Sequence, residues 1–425
     1  MQEKNDKIRN SMKATFEKRK SQVCRVFKCK IDESRLSKRQ KEELKMLFVE
    51  AKWFYNWLLS ISQNLSEINS QKVHEVTKLN KDKQEETVEL KFLKSSQRDS
   101  IKIGLVSALK TMKTLREKGL QKHGKLHFAK EYKSIDLKQF GLTHKIRGKR
   151  SMVIQGISKK VPVNGLQQLP EKCDITNAKL LNTSTGYYVA ITTYTNKTDL
   201  IQKSKTKEII GIDFGCQTSL TYSDGCKTTI SVGETERLKR LQQKLTRQKS
   251  NSNNRNRTKK LINIEYQKIG NRKRDIANKI IADLKQHEKI IIQDEQLSNW
   301  HKSYHGKAIQ HSCLGTIKTK LKTLDNCYVL SRDIPTIKIC MNCGKVHNIK
   351  LSDRTFSCIC GIKQDRDIHA AQNMIEIFNM IKNNLQIPLE QRKFKREEFL
   401  ASFEKQFSIS YGTTIHEDAT IHGCH

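Results

Sequence analysis

Two sets of side chains in this chain could bind metal, four thiols and three carboxylates. Cys340-Met-Asn-Cys343 and Cys358-Ile-Cys360-Gly361 form two knuckles separated by fourteen residues. Zinc takes thiolates tetrahedrally at about 2.3 Å, and a closed four-sulfur set leaves no position for a substrate. The spacing therefore predicts one structural Zn²⁺ held by Cys340, Cys343, Cys358 and Cys360, giving folding free energy to a segment too short to own a core. The second knuckle has one spacer residue where two are commoner, and His347 is a substitute ligand.

The carboxylates sit where apolar elements meet loops. Asp213 ends the run IIGID, Glu295 follows KIIIQ beside Asp294, and Asp367 opens a C-terminal helix pattern seven residues after Cys360. A parallel sheet can gather such strand ends at one crevice. Clustered carboxylates repel one another unless cations neutralise them, and Mg²⁺ prefers oxygen ligands. Two such ions about 4 Å apart can activate water and stabilise the leaving oxygen in phosphodiester hydrolysis. Asp213, Glu295 and Asp367 are thus the expected catalytic, Mg²⁺-binding set, with Asp365 a cap or surface charge paired with Arg366.

The partner follows from charge. The chain carries 81 Lys+Arg against 44 Asp+Glu, a net +37 over 425 residues, which a polyanion would neutralise. A membrane surface is the competing polyanion, but no apolar stretch approaches the roughly 20 residues that span a bilayer. Met1–Lys20 has no apolar h-region, so the sequence predicts a soluble intracellular protein. Residues 237–274 hold fourteen Lys/Arg against Glu265 alone, too one-sided for a self-paired helix. Arg237, Lys239, Arg240, Lys244, Arg247, Lys249, Arg255, Arg257, Lys259 and Lys260 are the candidate phosphate contacts.

The elements that must position these residues can be read from periodicity. Val23–Ile31 alternates as a strand; Ser37 and Gln40 form a capping box for a helix with Leu44, Leu47, Phe48, Ala51, Tyr55 and Leu58 on one face. Trp53 and Trp57 lie beside that face, for packing or for base stacking. Residues 61–97 are polar, loop or exposed helix; a second helix from Ile101 stops at Gly119, and 151–157, 178–181 and 187–194 read as strands. Further strands are expected at 209–213, 289–293 and 327–330, and helices at 236–249, 257–284, 309–324 and from 370 to Pro388. The eight scattered cysteines read as reduced, small buried residues.

With these motifs in order, the chain resembles the TnpB (OrfB) family, the RNA-guided nucleases of insertion sequences related to compact type V CRISPR effectors. The matching segments are GIDFG at 211–215, RLKRLQQKLTRQKS at 237–250, QDEQLSNWHK at 293–302, HSCLGTIK at 311–318, CMNCG at 340–344 and DRTFSCICGIKQDRDIHAAQNM at 353–374; FKCKID and EAKWFYNWLL resemble its opening domain. The resemblance implies an α+β multidomain chain. An N-terminal β module (1–200) with a helical insertion (about 33–120) would match the wedge and recognition modules. A RuvC-like, RNase H-type nuclease domain would follow at 207–337 and 364–388, with a zinc ribbon at 338–363 and a charged, partly disordered tail at 389–425. It implies a guide RNA, a double-stranded DNA target with a flanking recognition motif, and a cytoplasmic, nucleoid-associated place in a prokaryotic cell. Two positions depart from the pattern: His369 stands where Asn is usual, and the middle motif reads Gln293-Asp294-Glu295, leaving Asp294 as the alternative ligand to Glu295. The rival readings are a guided DNA-binding repressor and an unguided zinc-ribbon nucleic-acid protein. Direct catalysis of transposition would need a recombinase Tyr or Ser motif, which the sequence does not offer.

Overall fold

A computed structural model of the chain describes residues 2–62, 65–80, 82, 84–120, 125–199, 205–300, 302, 306–350, 352–386 and 391–408. It divides into two compact units, Met1–Ile201 and Gln202–His425. Among the described residues no helix is long and apolar enough to cross a membrane.

The first unit opens with a mostly exposed helix, α1 (Gln2–Lys20), and a strand, β1 (Gln22–Ile31). Then come α2 (Lys38–Ser60), β2 (Glu75–Leu79), β3 (Glu85–Glu89) and α3 (Ser95–Glu117). The unit ends with β4 (Ser134–Leu137), β5 (His144–Ile146), β6 (Ser151–Ile154), β7 (Val161–Asn164), β8 (Asp174–Thr183) and β9 (Gly186–Asn196). Seven strands form one antiparallel sheet in the order β4-β8-β9-β1-β7-β6-β5, so the chain leaves the sheet after β1 and returns at β4. α2 starts at the capping box of Ser37 and Gln40 and buries Leu44, Leu47, Phe48, Ala51, Phe54 and Leu58 against the sheet core.

The excursion is pinned by two buried charges. Glu50 accepts from the backbone N–H groups of Lys91, Phe92 and Leu93 at 3.1, 2.8 and 2.7 Å. Arg98 donates to the carbonyls of Leu93 and Gln71 at 2.7 and 2.8 Å. Burial still lifts the Glu50 carboxyl above its ordinary pKa. Residues 61–97, expected as loop or exposed helix, instead contain the β2–β3 hairpin. Of its side chains only Val76 is buried, so no clean alternation marks it in the sequence.

The second unit is built on a six-stranded sheet. Its elements are β10 (Ile210–Phe214), β11 (Leu220–Tyr222), β12 (Lys227–Thr228), α4 (Glu236–Thr246), α5 (Asn253–Leu284), β13 (Ile290–Gln293), α6 (Leu297–Trp300), α7 (Gly306–His311), α8 (Leu314–Leu321) and β14 (Cys327–Leu330). They are followed by β15 (Thr355–Ser357), β16 (Lys363–Asp365), α9 (Arg366–Leu385), β17 (Lys393–Phe394) and α10 (Arg396–Phe407). The strand order is β12-β11-β10-β13-β14-β17, with β10, β13, β14 and β17 mutually parallel. Parallel strands buried on both faces need continuous apolar runs. Ile210, Ile212, Ile290 and Ile292 pack with Ala277, Ile281 and Ile317 of α5 and α8. Ile291, Tyr328 and Leu330 pack with Met374, Ile377 and Phe378 of α9.

Three expectations change. The helix expected over 309–324 breaks at Ser312 and Cys313 into α7 and α8. The charged tail is ordered from 391 to 408: β17 joins the sheet edge, and α10 buries Phe399 and Phe403 against α9. Residues 409–425, including Cys424, lie outside the described residues. Of the other scattered cysteines Cys29, Cys313 and Cys327 are buried, whereas Cys24 and Cys226 are exposed and Cys173 and Cys216 are half-buried.

Candidate functional site

Register brings two of the acids to one sheet edge. β10 and β13 pair in parallel with Ile210 opposite Ile290 and Ile212 opposite Ile292. Continuing that register sets Asp213 level with Gln293, and Glu295 lies two residues beyond. Both acids stand at the C-terminal ends of adjacent parallel strands, where open α/β sheets form crevices.

The third acid arrives by helix packing. Gly211 has no side chain, and α9 rests directly on it. A Cβ there would drive into the Ala371 carbonyl oxygen and stand 3.3 Å from Ile375 Cγ1. From Gly211 to Asp213 the strand advances about 6.7 Å; from Ala371 back to Asp367 the helix rises about 6 Å. The two distances match, so packing Ala371 on Gly211 sets Asp367 beside Asp213. Asp213 is half-buried, and burial, the Asp367 charge and the Glu295 charge together raise its pKa well above the carboxylate range. Arg366 opposes that rise and contacts Asp367 at 3.1 Å. Asp365 does not pair with Arg366. It caps α9, accepting from the N–H groups of Asp367 and Ile368 at 3.0 and 3.2 Å, and pairs with Lys227 at 2.7 Å.

The two candidates for the middle position differ in their partners. Asp294 is held by Lys318 at 2.8 Å and Lys322 at 2.6 Å; burial works against its anion, but the two lysines outweigh it and its pKa falls. Glu295 is half-buried, its pKa raised mainly by burial and further by Asp294, with Lys318 and Arg332 opposing. It lines an open cleft of about 560 Å³ with Lys318, Arg332 and Lys393. The lysine-bound carboxylate is the poorer metal ligand of the two, which favours Glu295. The strand end itself is fixed by buried Gln293, whose amide donates to the carbonyls of Ser331, Arg332 and Ile334 and accepts from Thr336.

The four cysteines fit a zinc ion closely. Cys340 and Cys360 sulfurs are 3.5 Å apart, as are those of Cys343 and Cys358. A tetrahedral site with bonds of about 2.3 Å places sulfurs about 3.8 Å apart. Among the described residues these four form the one group of three or more Cys, His, Asp and Glu ligands whose atoms all lie within 4.8 Å of one another. At least one pair of the three carboxylates stands further apart. Gly344 and Gly361 follow the knuckles at φ +75° and +95°, closing each turn with an N–H to the carbonyl of Cys340 and of Cys358. His347 Nε2 lies 3.3 Å from Cys358 Sγ, beside the set of four thiols.

His369 and Asn373 fasten the cysteine element to α9. His369 is buried and stacked on Phe356 with centroids 3.5 Å apart. Its Nδ1 accepts from Gln364 at 2.8 Å, leaving Nε2–H to donate to the Ile339 carbonyl at 2.9 Å, one residue before Cys340. Asn373 donates to the Ile339 and Thr336 carbonyls, both at 2.7 Å. The sequence departure at 369 is thus a packing residue between the knuckles and the helix that carries Asp367.

The basic segment folds as the α4–α5 hairpin over a small core of Leu238, Ile262 and Ile269. Arg237 pairs with Glu265, and Lys239 with Glu236. Arg240, Lys244, Arg247, Lys249, Arg257, Lys259 and Lys260 are exposed, with no ion pair to a described acidic side chain. Arg255 differs: it is half-buried and donates to the carbonyls of Leu245 and Gln248 at the end of α4. It closes the hairpin, so it leaves the set of free phosphate contacts. Lys318 and Gly211 were not singled out from the sequence, although they lie inside the quoted HSCLGTIK and GIDFG segments; Arg366 was expected to pair with Asp365, and its contact is with Asp367.

The fold and site together define an α+β multidomain protein with a four-cysteine cluster that could hold a metal ion, an acidic sheet edge and a basic helical hairpin. Residues 317–374, from within α8 through the cysteine element into α9, match the family model Cas12f1-like, TNB domain. A curated protein of Streptomyces pristinaespiralis, named for RNA-guided DNA endonuclease activity, is 28% identical over 181 residues, 40% of this chain and 45% of that protein. The chain thus spans about half the length of the curated relative it matches. A cryo-EM structure of a Cas12f1–sgRNA–target DNA complex aligns over 79% of this chain and 81% of that one, at 14% identity and a TM-score of 0.39, too loose a likeness to bear on function. The family model and the relative support a TnpB/Cas12f-like family for this chain, the resemblance carried by its motifs.

Proposed function

We propose that the chain is an RNA-guided DNA endonuclease of an insertion-sequence element, with a RuvC-like nuclease domain in its second unit. The observation that carries this reading is the packing of α9 on Gly211, which sets Asp367 against Asp213 at the strand edge that also bears Glu295. Asp213 is costly to ionise there without a cation, and the three oxygen donors suit Mg²⁺. Mg²⁺ bound by Asp213, Glu295 and Asp367 would supply Lewis-acid stabilisation of phosphodiester hydrolysis. The residues themselves orient the site: Gln293 fixes the Glu295 strand end, Asp365 fixes the first turn of α9, and Lys318 holds Asp294 out of the set.

In this reading the exposed cations of α4 and α5 grip a guide–target duplex by its phosphates, while base pairing supplies specificity. The first unit serves as wedge and recognition modules, and the cysteine element, holding one Zn²⁺, braces the helix of Asp367. The relative's name supports the activity, and the net charge of +37 supports a nucleic-acid partner. The test is to sequence the RNA that copurifies with the full chain and assay DNA matched to it, with Mg²⁺ and with EDTA. Cleavage of matched DNA in Mg²⁺ alone is expected; absence of bound RNA, or cleavage indifferent to the RNA sequence, overturns the reading.

A further inference from the structure

We propose that the groove between the tryptophan face of α2 and the β2–β3 hairpin binds unpaired nucleotides of a single-stranded nucleic acid by stacking. Trp53 and Trp57, one helical turn apart, line a cavity of about 670 Å³ with Phe128, Leu79, Lys52 and Lys78. Three aromatic rings around one cavity are notable in a chain with 6% aromatic residues. Trp57 is backed by Phe54 at 5.9 Å, and the Lys78 ammonium lies 4.8 Å from the Trp53 ring centre.

Phe128 is the decisive member. It is 62% exposed, yet the backbone beside it is fixed: Asn56 donates to the Ala129 carbonyl at 3.1 Å and accepts from the Ala129 N–H at 2.7 Å. With the adjacent backbone fixed and the ring largely in water, Phe128 adds little to the core and is placed to stack on a flat partner. The other side of Phe128 faces a second groove of about 610 Å³, where Lys113, Arg116 and Lys125 stand beside Leu109 and Met112. Around the two grooves stand five basic side chains (Lys52, Lys78, Lys113, Arg116, Lys125) and the acids Glu85 and Glu117; Lys78 pairs with Glu86 at 2.9 Å and Lys113 with Glu117 at 4.0 Å, which leaves the edge net positive. Aromatic platforms edged with positive charge suit bases on a phosphate backbone, since every base has a π-face and every linkage a negative charge. An apolar peptide would use the rings but not the net positive edge, so rings and charge together favour a nucleic-acid strand. The inference rests on the chain being a nucleic-acid protein, and it is independent of the carboxylate site.

The test uses the full-length protein and two photoreactive probes of about 12 nucleotides, a 4-thiouridine RNA and a 4-thiothymidine DNA. Crosslinked peptides are mapped, and affinities are measured across a salt series. Crosslinks to peptides bearing Trp53, Trp57 or Phe128 are expected, and the stronger probe tells whether RNA or DNA is the source. Phe128→Ala and Trp53→Ala should each weaken binding about 5- to 160-fold, the equivalent of about 1–3 kcal/mol per stacked base, without changing the salt slope. Trp53→Phe, which keeps a ring, should restore most of the affinity, and thermal melting confirms that each variant is folded. Wild-type protein that crosslinks only at other peptides, or a folded Phe128→Ala with unchanged affinity, would overturn the proposal. Wild-type cleavage of matched DNA, assayed in parallel, keeps a failure here separate from a failure of the nuclease reading.

Discussion

Gly211→Ala adds one methyl group and tests how the site is assembled. The new Cβ would overlap the Ala371 carbonyl oxygen and stand 3.0 Å from the carbonyl carbon, with Ile375 Cγ1 at 3.3 Å. Carbon–carbon contacts are comfortable at about 3.5–4.0 Å, so the obstacle is helix backbone and α9 must retreat by on the order of 1 Å. Overpacking of this kind costs about 1–3 kcal/mol. The functional cost should be larger in proportion, because Asp367 rides on the displaced helix and a 1 Å misplacement can cost about 10²-fold in rate. The assay is single-turnover cleavage of RNA-matched DNA in saturating Mg²⁺, beside a melting curve. We expect a folded protein, a lowered melting temperature, and a rate reduced roughly 10²-fold with RNA binding intact. A folded Gly211→Ala protein cleaving at the wild-type rate would refute the argument that this contact sets Asp367 against Asp213.

Other perturbations reach the remaining parts. Metal analysis of the purified chain should find one zinc per molecule, absent from Cys343→Ser, with faster hydrogen exchange over 338–365; zinc-free protein with unchanged exchange contradicts the assignment. Replacing Lys244, Arg247, Lys259 and Lys260 by Gln should lower the slope of log affinity against log salt by roughly 0.7–0.9 for each phosphate no longer neutralised, whereas Arg255→Ala should lower the melting temperature and leave that slope alone. The raised pKa of Asp213 has a definite sign. In metal-free protein the protonated carboxyl contributes stability that is complete below the ordinary value of about 3.9 and is lost as pH rises through the raised folded value. Asp213→Asn should therefore melt above wild type at pH 8 in EDTA and approach it at pH 4. A variant that melts below wild type at both would contradict the crowding of charge at this edge.

The central parallel strands β10, β13 and β14 were legible because buried parallel strands require unbroken apolar runs, and an acid ending such a run is conspicuous; the short strands β2, β3, β11, β12 and β17 carry no such run. The cysteine knuckles were legible because thiol spacing is chemistry written in one dimension. Contacts between distant segments were not. The fit of Ala371 on Gly211 depends on a helix more than 150 residues away in sequence, and the glycine alone looks like any other. Nothing in the sequence marks Glu50 and Arg98 as internal, yet both are buried and satisfy backbone groups. Arg255 matched the basic run by type, and only its position against the end of α4 separates it from its neighbours. The C-terminal segment carried a signal that charge obscured: Phe399, Phe403 and Phe407 recur every four residues through Arg396–Phe407, and two of them are fully buried. His369 could not be placed from sequence, because its partners Phe356 and Ile339 belong to the inserted element.

The central claim is that Asp213, Glu295 and Asp367 form one Mg²⁺-dependent cleavage site. Its most direct test is the cleavage rate of purified Asp213→Ala, Glu295→Ala, Asp367→Ala and Asp294→Ala proteins, each loaded with its copurifying RNA and given matched DNA in Mg²⁺. The first three should bind RNA and DNA but not cleave, and Asp294→Ala should retain cleavage. Full cleavage by Asp213→Ala, or loss of cleavage in Asp294→Ala with activity kept in Glu295→Ala, would contradict the claim.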